Sequence, residues 1–262
     1  FDGLRVDGTA QLDGVQFERD ASFVGAAFGD RVELDEARFG GDTDFRDATF
    51  ADHVSCRGAA FEGEDHVDDD DAAFDGAAFE AGGDFEHARF REGSFADVRF
   101  DGPAVFDDVV FERDAVFRNV AFEDASFVEA RFRGDASFEA MTATGRVSFR
   151  GAEFRGGDNV ADDNVSFADA EFGGPADFES AQFASTAFDG ARFEETARFE
   201  GTRFDGTASF AGTAFEDGVA FEDARLRDVD ATDATFDDAA AFTGTDVAGQ
   251  ACTTARNSAA RS

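Results

Sequence analysis

The chain has 262 residues and a net charge of −36, from 59 acidic residues against 23 basic ones, all arginine. That balance excludes direct binding to nucleic acid or to an anionic membrane surface, both of which need a basic face. With 36 Phe, one Met and no Trp or Tyr, the interior cannot be an ordinary mixed core; one local environment must repeat many times.

From the amino end, large apolar residues form a ladder: Phe1, Val6, Leu12, Phe17, Phe23, Phe28, Leu34, Phe39, Phe45, Phe50, Cys56, Phe61. Its steps of five or six match neither the period of a strand nor that of a helix. Two residues before many rungs stands a small residue, as with Ala37, Ala48, Ala130, Ala191 and Ala197. Residues two apart in an extended chain share a face, so this residue and the rung both point inward. The Gly, Asp and Asn that follow the rungs suit a turn after each step.

A long step at 62–73 then carries an acidic run that includes Asp65, His66, Asp68, Asp69, Asp70 and Asp71. The ladder resumes at Phe74 and passes through Phe90 and Phe132 to Phe154, with Met141 before the weak rung Ala143. A second long step at 155–166 contains Asp158, Asn159, Asp162 and Asp163. The final stretch runs from Phe167 through Phe193, Phe199 and Phe221 to Phe242, with Val229 before the weak rung Ala231. In both weak places bulk moves to the neighbouring inward position, which conserves core volume. Residues 1–245 are expected to form one repeat domain, and 246–262, poor in apolar residues, a tail or cap.

Units such as FDGARFEETARFEGTRFDGTASFAGTAFEDGVAF closely resemble the pentapeptide-repeat family in its Phe-centred variant, over essentially the whole chain. The resemblance implies an all-β fold, a right-handed quadrilateral parallel β-helix of about ten to eleven coils. Phe39, Phe90, Phe132, Phe193, Phe199 and Phe221 are the expected core. Counted from Phe1 to Phe242, every six-residue step is even-numbered, so the extra residue enters on two opposite sides of the square. The two 13-residue steps are steps 12 and 28. Both are multiples of four, which puts them on one side, four coils and about 19 Å apart.

Chemistry-bearing motifs are scarce. No phosphate-binding loop, dinucleotide fingerprint, nucleophile elbow or zinc-protease motif occurs, and no cofactor is expected. His53, His66 and His87 form no pattern, and Cys56 and Cys252 lack the spacing of a zinc site. Asp68, Asp69, Asp70 and Asp71 are weak candidates for cation binding, without the spaced ligands and central Gly of an EF-hand. Outward arginines such as Arg38, Arg89, Arg131, Arg192, Arg198 and Arg203 are expected to form exposed ion pairs among acids spread over all four sides. The lysine-free acidic surface suits the cytoplasm of a high-salt organism, where screening removes self-repulsion, with the cell surface as the other possibility.

The expected role is a non-catalytic structural or protein-interaction scaffold of unidentified partner, not an enzyme. Asp65, His66, Asp68, Asp70, Asp158, Asn159, Asp162 and Asp163 form its candidate recognition loops, and end-to-end or other self-association is open to it. The resemblance to the family also implies a second role, mimicry of duplex DNA toward a type II topoisomerase such as gyrase. A third is an accessory domain of a larger membrane or signalling protein, since Phe1 already lies inside a repeat. No segment of this chain is apolar enough to insert in a membrane.

Overall fold

The computed structural model describes residues 1–63, 71–156, 164–252 and 256–257; its elements are short strands, with no helix among the described residues. Each strand pairs in parallel and in register with the strand one coil later, as Arg38–Phe39 does with Ala60–Phe61 and that strand with Arg89–Phe90. Four faces result. Face one starts at Arg5–Val6 and has 12 strands; face two starts at Ala10–Gln11 and has 11. Faces three and four start at Gln16–Phe17 and Ala21–Ser22. They form one 20-stranded sheet because Arg203–Ser209 and Arg225–Asp230 run unbroken around their shared corner. The chain is therefore a four-sided parallel β-solenoid of about 11 turns.

In-register pairing stacks each rung on the one below. On face three, Phe90, Phe111, Phe132 and Phe154 form a column with ring centroids 4.9, 5.2 and 4.6 Å apart and nearly parallel planes. Rings on neighbouring columns meet edge to face, as Phe95 and Phe106 do at 5.3 Å and 88°. Both geometries suit the aromatic quadrupole. Phe39, Phe90, Phe132, Phe193 and Phe199 are wholly buried and Phe221 is 4% exposed.

The four corners are of two kinds. After faces two and four the rung carbonyl accepts a hydrogen bond from the N–H three residues on, as Leu34 does from Ala37 (3.1 Å) and Phe45 from Ala48 (3.0 Å). The residue two after the rung has positive φ: 58° at Glu36, 57° at Asp47, 55° at Asn119. That is the type II turn, in which the third residue must be left-handed, and it fixes the step at five. The corners after faces one and three carry all the longer steps among the rungs from Phe1 to Phe242. Successive coils still touch there. A Cβ on Gly82 (φ 84°) would come 2.3 Å from the Pro103 carbonyl oxygen.

Two expectations need correction. The first concerns the weak rungs. Met141 does fill the space beside Ala143, both being buried. Val229 does not do so for Ala231: Leu226 and Val247 are also smaller than Phe, and a cavity of about 430 Å³ opens among Phe210, Phe221, Leu226, Val229, Ala231 and Phe242. The second concerns where the ladder ends: the stretch from residue 246, expected as a tail or cap, continues the ladder in its described part. Asp246–Val247, Ala251–Cys252 and Arg256–Asn257 pair with Arg225–Leu226, Val229–Asp230 and Thr235–Phe236. Main-chain pairing does not need Phe; Phe242, which follows the last described strand of face two, is 52% exposed.

Candidate interaction surfaces

Both long insertions leave from one corner, between faces three and four. The first joins Ala60–Phe61 to Ala72–Ala73 and the second joins Glu153–Phe154 to Asn164–Ser166. On face three the two departure points are connected through Phe90, Phe111 and Phe132, four ladder steps apart. The candidate residues Asp65, His66, Asp68, Asp69, Asp70, Asp158, Asn159, Asp162 and Asp163 lie outside the described residues.

The base of the first insertion is built by residues the sequence did not single out. Arg91, one coil on, reaches the Gly63 carbonyl (3.5 Å) and the Asp71 carboxylate (3.7 Å), joining the two ends of the insertion. Asp71 is buried and faces a guanidinium, so it serves this clamp. A Cβ on Gly63 would overlap the Asp71 side chain, which is why a residue without one stands there. No group of three or more His, Cys, Asp or Glu among the described residues is arranged to hold a metal ion.

The other titratable groups are scattered. His87 sits in a turn, 3.7 Å from Glu86 and 3.8 Å from Asp108. Burial, with Asp35 and Asp84 nearby, pushes the Cys56 thiol far above its ordinary value, while Cys252 is exposed. Burial also raises the Glu200 carboxyl, with Glu222 and Glu179 beside it adding to the effect. Several outward acids work between coils. Asp35 accepts from Ser55 Oγ (2.5 Å) and the Arg57 N–H (3.0 Å) of the next coil, and Asp107 and Asp189 take the equivalent N–H groups of Val128 and Ala211.

The charge is sided. With each rung counted together with the corner that follows it, and residues 64–70, 157–163 and 253–262 left aside, face one carries 5 Arg and 14 acids. Faces two and four carry 3 Arg with 14 acids and 2 Arg with 10 acids. Face three carries 11 Arg (19, 38, 89, 91, 113, 131, 133, 155, 203, 225 and 227) against 13 acids and is close to neutral apart from the eight acids of the two insertions that follow its rungs Phe61 and Phe154. The acids lie on all four sides as expected, whereas the arginines gather on one. The expected ion pairs form at Arg89 with Glu112 (2.6 Å), Arg192 with Glu216 (2.9 Å) and Arg203 with Asp205 (2.6 Å). Arg38, Arg131 and Arg198 have no carboxylate within ion-pair distance among the described residues. Face three also holds a groove of about 470 Å³ floored by Ala60, where the outward row of long side chains is interrupted between Arg38 and Arg89.

No helix among the described residues is long and apolar enough to cross a membrane. No protein of curated function matches the sequence. Among solved structures, the chain is similar to HetL, a pentapeptide repeat protein involved in heterocyst differentiation regulation from the cyanobacterium Nostoc sp. strain PCC 7120. The identity is 17% over 95% of this chain and 90% of that one, with a TM-score of 0.34. It is also similar to QnrB1, a plasmid-mediated fluoroquinolone resistance protein, at 15% identity over 92% and 90% of the two chains, with a TM-score of 0.17. A family model for pentapeptide repeats matches residues 1–49, 95–142, 162–203 and 199–246. With that match, the stacked Phe columns and the five-residue turns, the chain belongs to the pentapeptide-repeat family.

Proposed function

We propose that the chain is a non-catalytic rod that presents protein-binding surfaces, with the corner between faces three and four as its recognition element. The carrying observation is the shared origin of the two insertions on an otherwise regular solenoid. Four ladder steps put about 19 Å between them, so one partner surface can meet both. In-register pairing holds the spacing of the two departure points, so these lose little freedom on binding.

The test replaces 64–70 and 157–163 with short Gly-Ser links and compares capture of partners from a lysate of the source cells. The expected result is at least a tenfold loss of the captured protein with the melting temperature held. Unchanged capture would remove the corner from the reading.

The three strongly acidic faces favour a second reading, occupation of a nucleic-acid channel in a type II topoisomerase. A charge of −36 along about 50 Å, about one per 1.4 Å, slightly exceeds the one per about 1.7 Å of duplex DNA. A gyrase supercoiling assay with the intact and loop-replaced proteins separates the two. Inhibition by both supports the second reading, and no effect at stoichiometric excess ends it. Attachment of the rod to a membrane or signalling module is compatible with either.

A high-salt setting is part of the proposal. Transfer from molar salt to dilute buffer is expected to lower the melting temperature by at least about 5 °C, the shift roughly 2 kcal/mol gives a chain of this size. In dilute buffer the acids of three faces repel one another unscreened. A melting temperature independent of salt would sink this part.

A further inference from the structure

We propose that face three is a self-association surface, on which a second copy of this chain packs antiparallel. The inference rests on the reading of the chain as an interaction rod but not on the two insertions. Its starting point is electrostatic. Contact through any pair of faces one, two and four sets an excess of at least eight acids against another such excess, whereas face three, without the eight acids of the two insertions, carries 11 Arg against 13 acids.

Register supplies the second argument. The outward positions of face three form two columns, one residue before the rung and one after it. In a face-to-face pair with its two-fold axis in the interface and across the rods, each column meets its own copy running backwards. Set that axis between the coils of Phe111 and Phe132, and the coil of Phe17 lies over that of Leu226, that of Phe90 over that of Phe154, and that of Phe111 over that of Phe132.

In this register Arg89 then faces Glu153, Arg133 faces Glu112 and Arg227 faces Glu18, each pair made twice by symmetry and sharing carboxylates that within one copy already pair, Glu112 with Arg89 (2.6 Å) and Arg133, and Glu153 with Arg155 (2.7 Å). Two like pairs also arise, Arg38 with Arg203 and Arg91 with Arg155. Each has a carboxylate at hand, Asp205 beside Arg203 (2.6 Å) and Asp71 beside Arg91 (3.7 Å). Ten coils overlap, about 50 Å by about 10 Å, or roughly 1,000 Å² in total. That is the low end of specific interfaces, so the pair is weak and reversible. High salt promotes it, because screening removes the long-range repulsion of the other three faces while charges in contact are screened much less.

Sedimentation velocity over a concentration series, in dilute buffer and in molar salt, tests the proposal. The intact chain is expected to show a concentration-dependent dimer in molar salt. Arg89→Glu, Arg133→Glu and Arg227→Glu combined, and separately Glu18→Arg, Glu112→Arg and Glu153→Arg combined, should each weaken it at least tenfold. Mixing the two variants should restore a heterodimer. Arg5→Glu, Arg99→Glu and Arg192→Glu on face one should leave the dimer in place. Should either charge-reversed set fail to fold, the corresponding Gln substitutions carry the same comparison of face three with face one. A chain monomeric at every salt and concentration, a mixture that stays monomeric, or equal loss from the face-one set overturns the proposal. Loss of partner capture on replacing the insertions would leave this dimer unchanged, so the two readings fail separately.

Discussion

Replacing Phe132 by alanine is expected to cost about 3–5 kcal/mol. The ring is wholly buried, stacked on Phe111 (5.2 Å) and Phe154 (4.6 Å) and edge-on to Phe138 (5.7 Å). The void cannot collapse, because main-chain bonds such as Arg133 N–H to the Phe111 carbonyl (3.0 Å) set the coil spacing independently of the side chain. Phe242→Ala provides the contrast. That ring is 52% exposed with one stacking partner, Phe221, and its loss should cost about 1 kcal/mol. Urea unfolding gives the totals, and hydrogen exchange in the coils of Phe111 and Phe154 shows whether the damage is local, as nearest-neighbour stability in a solenoid requires. A cost below about 1 kcal/mol at Phe132 would mean the columns do not carry the stability of the rod.

One residue added at a type II corner should cost on the order of 3 kcal/mol or more, whereas one residue removed at the other kind should cost under about 1 kcal/mol. Inserting Gly between Arg150 and Gly151 breaks the bond from the Ala152 N–H to the Phe149 carbonyl (3.0 Å) and displaces the positive φ of Gly151 (67°). The strand that follows must then restore its register or turn its inward residues outward. Deleting Gly134 shortens the step from Phe132 to Phe138 from six to five, the length already used at that corner between Phe90 and Phe95 and between Phe183 and Phe188. Equal costs in thermal melts would show that the two corner types do not differ in tolerance.

Much of the fold can be read from the residues because local and tertiary requirements repeat with the same period. The spacing of Phe39, Phe45 and Phe50, with a small residue two before Phe39 and Phe50, names every inward position without reference to distant contacts. Counting steps also brings the two insertions to one side. The refinement to a corner needed the alternation of turn types, whose signal was present as Gly, Asp or Asn two residues after most alternate rungs. Glu36, Glu129 and Ala140 adopt the same positive φ without being residues that favour it, so composition alone blurs the rule.

The candidate site was less legible. Arg91 and Asp71 look like any of the chain's charged residues until the next coil sets one over the other. The arginine-rich face was likewise hidden, because Arg38, Arg89, Arg131 and Arg225 are scattered along the chain and meet only when successive coils align. By itself the sequence determined the repeat, the inward residues, the number of coils and the origin of the insertions, since each depends on spacing along the chain. Only the tertiary structure decided the clamp beneath the first insertion, the cavity at Ala231 and the sidedness of charge. Those depend on which side chains the ladder superposes across the 20 to 30 residues of a coil, and the pairing, not the local pattern, sets that.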